Sequence, residues 1–260
     1  MWTAKEKLYH GKLKRGVFVY IKCKTDRGKI REINEDYVLT LKSNYYSLLI
    51  AADGMGGHNG GEVASRIASV TVRDFVFQNF SLYNDKEELL RDAILKANEE
   101  TYKKSQSDEK LRGMGTTLTC CLALDSWYYI GHVGDSRAYI INDGGIRKIT
   151  QDHSFVQQLI DNGSITESEA VNHPNRNVIT RSIGTEEHVV IDTKIGSLGA
   201  GDIIILCTDG LTGYLNSGEI LDVITLKKED AVDDLVKLAN ERGGSDNISV
   251  IIARKEGEND

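Results

Sequence analysis

Apolar positions along the chain fall mostly into short runs. Residues 17–23, 47–52, 117–124, 127–133, 137–141, 189–195, 202–207 and 247–253 are each continuously or alternately apolar and bounded by turn formers, the pattern of β-strands. Asn142-Asp143-Gly144-Gly145 predicts a hairpin turn, because these residues tolerate positive φ, and residues 127–150 read as a meander around it. A period near 3.6 appears at Ala64, Ile67, Ala68 and Phe75, at Leu90, Ala93, Ile94 and Ala97, at Val156, Leu159 and Ile160, and at Ala231, Leu235, Leu238 and Ala239. Each of these sets is an expected helix face. Strands and helices do not alternate regularly, and tight turns between strands favour antiparallel sheets whose exposed faces the helices must cover. The expected architecture is therefore α+β, a two-sheet antiparallel sandwich flanked by helix layers. One proline, no repeat and no low-complexity tract point to a single domain over residues 16–255, behind an N-terminal extension of residues 1–15.

Composition narrows the function. With 260 residues, 40% apolar and 27% charged, the chain has ordinary globular usage. A net charge of −7 leaves no positive stripe for nucleic acid. The one basic stretch, Lys5, Lys7, Lys12, Lys14 and Arg15, reads as a solvated leader or as a contact for an acidic partner. The four cysteines, Cys23, Cys120, Cys121 and Cys207, form no C-x-x-C pair, and all but one lie in apolar runs. They read as reduced core residues of a cytoplasmic protein. No apolar stretch approaches the roughly 18–20 residues that span a bilayer, and no secretory h-region is present, so no membrane insertion is expected.

The chemistry lies in acidic residues at strand ends. In Ala52-Asp53-Gly54-Met55-Gly56-Gly57-His58-Asn59-Gly60-Gly61, an aspartate closes an apolar run and glycines follow. That arrangement offers carboxylate and bare carbonyl oxygens, hard ligands suited to Mg²⁺ or Mn²⁺, although a flexible strand-to-helix turn would look the same. The pattern lacks the lysine of a phosphate-cradling P-loop. Asp209-Gly210 repeats the theme after residues 202–207, where a lone buried charge would be costly. Further acidic sites are Asn34-Glu35-Asp36, Gly134-Asp135-Ser136-Arg137 and Gly243-Gly244-Ser245-Asp246-Asn247. Singly each is an ordinary turn or cap. Five recurrences at strand ends suggest one acidic cluster, although spacing alone does not bring them together.

These motifs, with Thr25–Gly28, Arg31–Asp36, Gly113-Met114-Gly115-Thr116-Thr117, Thr150-Gln151-Asp152-His153 and Asn177–Arg181, occur in an order that resembles the bacterial branch of the type 2C, metal-dependent protein phosphatases. The resemblance runs from about Thr25 to Arg254. It implies dephosphorylation of phosphoserine and phosphothreonine proteins by a metal-activated water at a dinuclear Mg²⁺ or Mn²⁺ centre, with a weaker third metal position, opposing a bacterial serine/threonine kinase; a monomer is expected. Carried over by position, Asp53 bridges both ions, the Gly54 carbonyl binds one, and Asp209 and Asp246 hold the other. Asp36 acts at the first ion, directly or through water, with Glu35 beside it, and Asp135 matches a weaker third-metal position. Arg31 matches the arginine that clamps the phosphate, and His58 the proton donor to the leaving alkoxide, a job a metal-bound water could also do. His153 reads as structural. A helical insert over about residues 154–185 matches a mobile flap. Two alternatives remain at this stage. One is a scaffold that keeps the fold without catalysis, but such proteins lose the carboxylates that are all present here. The other is a phosphatase for small phosphorylated molecules.

Overall fold

The computed structural model describes residues 18–56 and 60–255. The strands are β1 (Phe18–Asp26), β2 (Asp36–Lys42), β3 (Ser47–Met55), β4 (Gly115–Thr116), β5 (Leu118–Leu124), β6 (Trp127–Val133), β7 (Arg137–Asn142), β8 (Gly145–Lys148), β9 (Asp192–Ser197), β10 (Ile203–Cys207) and β11 (Ile248–Lys255). The helices are α1 (Gly60–Asn79), α2 (Lys86–Ser107), α3 (Phe155–Asp161), α4 (Glu167–Ala170), α5 (Asp209–Thr212), α6 (Ser217–Lys227) and α7 (Ala231–Glu241).

Two antiparallel sheets form, in the orders β1-β11-β10-β7-β8 and β2-β3-β5-β6-β9, with the short β4 beside β3. The continuous apolar runs follow from burial on both faces, because successive side chains of a strand point to opposite sides. On β3, Leu49 and Ala51 pack with Cys121, Ile130, Ile140, Leu206 and Ile251 between the sheets. Leu48 and Ile50 pack outward with Val72 and Val76 of α1 and Leu90 and Ile94 of α2. The outer face of the other sheet, including Ile205, Cys207, Val250 and Ile252, packs with Ile220 and Ile224 of α6 and Leu235 and Val236 of α7. The expected sandwich between helix layers is the one observed.

Several details differ from the sequence reading. β2 is not among the predicted strands; its first residue, Asp36, closes an acidic motif, and its remaining residues are only partly buried or exposed. Residues 127–150 are not one meander: β6 and β7 lie in different sheets, and only β7 and β8 form a hairpin. The chain crosses between sheets at Gly134-Asp135-Ser136, where Gly134 takes φ 110° and a Cβ would meet Thr117 at 2.6 Å. In the hairpin turn only Gly145 takes positive φ, 90°. Strand β9 starts at Asp192, three residues later than expected, and leaves Val190 exposed. Cys120, Cys121 and Cys207 are buried, but Cys23 on edge strand β1 is exposed, so it is no core residue.

Residues 154–185 carry α3, α4 and irregular chain. Ser154 caps α3 by accepting from the Gln157 N–H at 3.3 Å, and a capping box of Thr166 and Glu169 starts α4. No residue of α3 is fully buried. The segment is tied down at its ends, where the Phe155 and Thr180 N–H groups donate to the Val178 and His153 carbonyls.

A candidate metal and phosphate site at one end of the sandwich

Strand register brings the acidic motifs to one end. Asp36 opens β2 and pairs directly with Asp53 of β3. Asp209 follows the last residue of β10, Cys207, which pairs with Val250 of β11 and with Arg137 of β7. Asp246 therefore arrives just before β11, and Asp135 just before β7, at that same end. The two sheets are bridged there by the Thr208 hydroxyl, which donates to Asp36 Oδ2 at 2.9 Å and accepts from the Ser249 N–H at 3.0 Å. The Asp53 N–H donates to Thr117 Oγ1 at 2.9 Å, and that hydroxyl lies 2.8 Å from Ser136 Oγ, beside Asp135.

Burial and repulsion dominate the electrostatics. The Asp53 carboxyl is held well above the ordinary range by burial and then by Asp36, Asp209, Asp135 and Asp246. Burial pushes Asp36 up to about 7, with Asp209 and Asp246 adding to it and the hydroxyls of Ser249 and Thr208 opposing it. Asp135 also rises to about 7, by burial and then by Asp209 and Asp152. Asp209 is raised by burial and by Asp246. Asp36 Oδ1 and Asp209 Oδ1 are buried without a hydrogen-bond partner. Among the described residues no trio of carboxylate, imidazole or thiolate groups is already closed into a ligand cage. Register sets Asp36 beside Asp53, Asp209 is close enough to share a side-chain hydrogen bond with Asp53, and the mutual repulsion of the set is relieved only by protons or cations. Orphaned carboxylate oxygens in an all-oxygen donor set fit hard divalent cations.

Two of the glycines are spatially obligatory. A Cβ on Gly54 would lie 2.1 Å from the Gly61 carbonyl oxygen and 2.6 Å from that of Glu35. A Cβ on Gly210 would lie 1.9 Å from the carbonyl oxygen of Asn247. Both Asp-Gly pairs are thus places where another part of the acidic rim presses on bare backbone.

Arg31 reaches the cluster: its guanidinium donates to Asp246 Oδ2 at 2.9 Å. Burial alone would lower the Arg31 pKa, yet the charge of Asp246 leaves it raised. Glu35 lies slightly apart, with Oε1 accepting from the Gly61 N–H at 3.1 Å. Asn247 organises the whole loop that carries these residues. Its Nδ2 donates to the carbonyls of Arg27 and Ile33, both at 2.9 Å, and its Oδ1 accepts from the Glu35 N–H at 2.8 Å.

His58 and residues 1–15 lie outside the described residues. His153 is buried against His132, with ring centroids 4.7 Å apart. Its Nδ1 accepts from the Gly134 N–H at 3.1 Å, and its Nε2 lies 3.3 Å from Asp192. A groove of about 590 Å³ lies between β1 and α7, with Gly28 and Lys29 of the Arg31 loop in its wall. Its lining charges include Lys24, Asp26, Lys29, Asp233, Lys237 and Glu241, and Lys24 is already paired with Asp233.

The sequence motifs contain Thr117, Ser136 and Asn247 but assign no role to them or to Thr208. Ser136, Thr208 and Asn247 adjoin Asp135, Asp209 and Asp246, so adjacency to a motif aspartate is the available signal.

This arrangement of sheets and carboxylates belongs to a known class of hydrolases. The family model described as protein phosphatase 2C matches residues 29–250. The serine/threonine phosphatase stp of Listeria monocytogenes is 36% identical over 244 residues, covering 92% of this chain and 96% of that protein. The crystal structure of serine/threonine phosphatase Stp1 from Staphylococcus aureus superposes with a TM-score of 0.83 at 38% identity, covering 95% of this chain and 98% of that one. The catalytic domain of the serine/threonine protein phosphatase PstP, solved in complex with two manganese ions, gives a TM-score of 0.82 at 33% identity, over 91% of this chain and 98% of that one. The chain belongs to the protein phosphatase 2C family. It is a protein serine/threonine phosphatase, a phosphoric monoester hydrolase.

Proposed function

We propose that the chain removes phosphate from phosphoserine and phosphothreonine proteins at the end of the sandwich where Asp36, Asp53, Asp135, Asp209 and Asp246 meet. The observation that carries this is Asp53, paired across strands with Asp36 and pushed toward its neutral form by the charges of Asp36, Asp209, Asp135 and Asp246. Such a set is costly unless cations neutralise it. Two divalent ions, Mn²⁺ or Mg²⁺, supply Lewis-acid charge and lower the pKa of a water. Asp53 would be shared between them. Asp209 and Asp246 would hold one ion, and the Gly54 carbonyl and Asp36 the other. Asp135 would serve a third, weaker position.

The remaining roles fall to Arg31 and His58. Arg31, whose guanidinium lies on Asp246, would make paired charge-assisted bonds to the phosphoryl oxygens. His58 would return a proton to the departing serine or threonine oxygen. All of these groups come from one chain, which supports a working monomer. The kinase that opposes the enzyme would be a serine/threonine kinase of the same cell. Among the described residues no helix is long and apolar enough to cross a membrane, and Cys23, Cys120, Cys121 and Cys207 are free thiols, which supports a place in the cytoplasm. Residues 154–185 would act as a flap over the site.

The direct test is phosphate release from a phosphothreonine peptide and from an aryl phosphate, with Mn²⁺ and with EDTA. Turnover of both is expected with Mn²⁺, and at least about 10³-fold less of each with EDTA. Peptide hydrolysis that survives the chelator would refute the metal assignment. Arg31→Ala is expected to raise KM for the peptide about 10-fold or more, the value of a charge-assisted pair. An unchanged KM would remove Arg31 from phosphate binding.

A further inference from the structure

The loop between β1 and β2 carries exposed apolar side chains beside Arg31. Ile30 is 70% exposed and Ile33 is 38% exposed. Single exposed apolar residues are common and need no explanation. These two differ because the loop that displays them is fixed. The Lys29 N–H donates to the Gly244 carbonyl at 2.7 Å, the Gly28 N–H donates to Asp26 Oδ1 at 2.8 Å, and Arg27 donates to the Glu32 carbonyl at 3.2 Å. Asn247 holds both the Arg27 and the Ile33 carbonyls from below. A set of hydrogen bonds, several of them partly buried, thus fixes a loop that presents two isoleucines to solvent on either side of the arginine that reaches Asp246. Preordered apolar surface at a binding site contributes affinity without the cost of ordering it later.

We propose that Ile30, with Ile33, is a specificity-determining surface for the segment that carries the phosphorylated residue, and that it selects phosphoserine or phosphothreonine with an apolar neighbour. This rests on the phosphoprotein reading above, in which Arg31 holds the phosphate. When Arg31 grips the phosphoryl group, the residues adjoining the phosphorylated one lie over Ile30 and Ile33. A valine or leucine there removes apolar area from water on both sides, whereas a serine leaves the isoleucine wet.

Two phosphothreonine peptides test this, identical except for the residues on either side of the phosphothreonine, which are valine in one and serine in the other. Wild-type kcat/KM is expected to favour the valine peptide about fivefold to tenfold, the scale of a few methylene contacts. In Ile30→Ser the preference is expected to fall below about twofold, and Ile30→Leu should retain it. Equal rates on the two peptides in the wild type would overturn the proposal. So would an equal loss on both peptides in Ile30→Ser, which would mean that Ile30 only shapes the loop. Hydrolysis of neither peptide, with aryl phosphate still cleaved, would instead remove the phosphoprotein reading and the inference with it.

Discussion

Asp53→Asn should lower kcat/KM on a phosphothreonine peptide by at least about 10³-fold in saturating Mn²⁺, while the chelated protein melts no lower than wild type. The asparagine keeps the side chain's shape but cannot neutralise cationic charge. In the metal-free protein desolvation and the charges of four other carboxyl groups already hold Asp53 toward its neutral form, so the amide removes repulsion and little else. Melting curves with and without Mn²⁺ give the second readout. Wild type should gain stability from the ion, because binding favours the folded state, and the variant should gain much less. Activity within tenfold of wild type would exclude Asp53 from metal binding.

The same carboxyls predict how the chelated wild type responds to pH. Asp36 and Asp135 ordinarily titrate near 3.8 but rise to about 7 in the fold. The folded state therefore binds these protons more tightly than the unfolded chain does. Their contribution is complete below about 3.8 and is lost as pH climbs through about 7. The melting temperature in EDTA should fall between pH 5 and pH 8, with a shallower fall in Mn²⁺. A chelated protein that gains stability over that interval would contradict the clustering.

Gly210→Ala is the second large effect. Its Cβ would sit 1.9 Å from the Asn247 carbonyl oxygen, a backbone-to-backbone overlap that no rotamer change relieves. Overpacking of this kind costs about 3 kcal/mol or more, which for a chain of this size lowers Tm by about 6–12 °C. Activity should fall further than stability, because Asn247 carries the loop of Arg31 and adjoins Asp246. Gly213→Ala is the control. Its Cβ meets nothing nearer than 3.1 Å, so it should shift Tm by no more than a few degrees. Equal melting of the two variants would show that the close approach at Gly210 is not what fixes it as glycine.

The legible part of this fold was the part written in local pattern. Strands buried on both faces left continuous apolar runs, and aspartates followed by glycine at their ends marked where the chain leaves the sandwich. Helix α6 was not picked out. Its apolar residues include Leu226, which is 80% exposed, so Ile220 and Ile224 do not stand out as one face. The sheet crossing at Gly134 is not legible in local pattern, because a turn within a sheet and a turn between sheets use similar residues. Nor could local pattern show the Thr208 hydroxyl on Asp36 or the Asn247 amide on the Arg27 and Ile33 carbonyls. Those bonds join residues 172, 220 and 214 positions apart, and only the completed packing creates them.

Strand β11 sits between β1 and β10, and Asp246 and Asn247 immediately precede it. During synthesis every other candidate ligand emerges from the ribosome before these two do. Until β11 inserts, the opening strand has no neighbour in its sheet and the Arg31 loop has no anchor. A chain that stops short of β11 would lack both Asp246 and Asn247 and would leave β1 without its sheet neighbour.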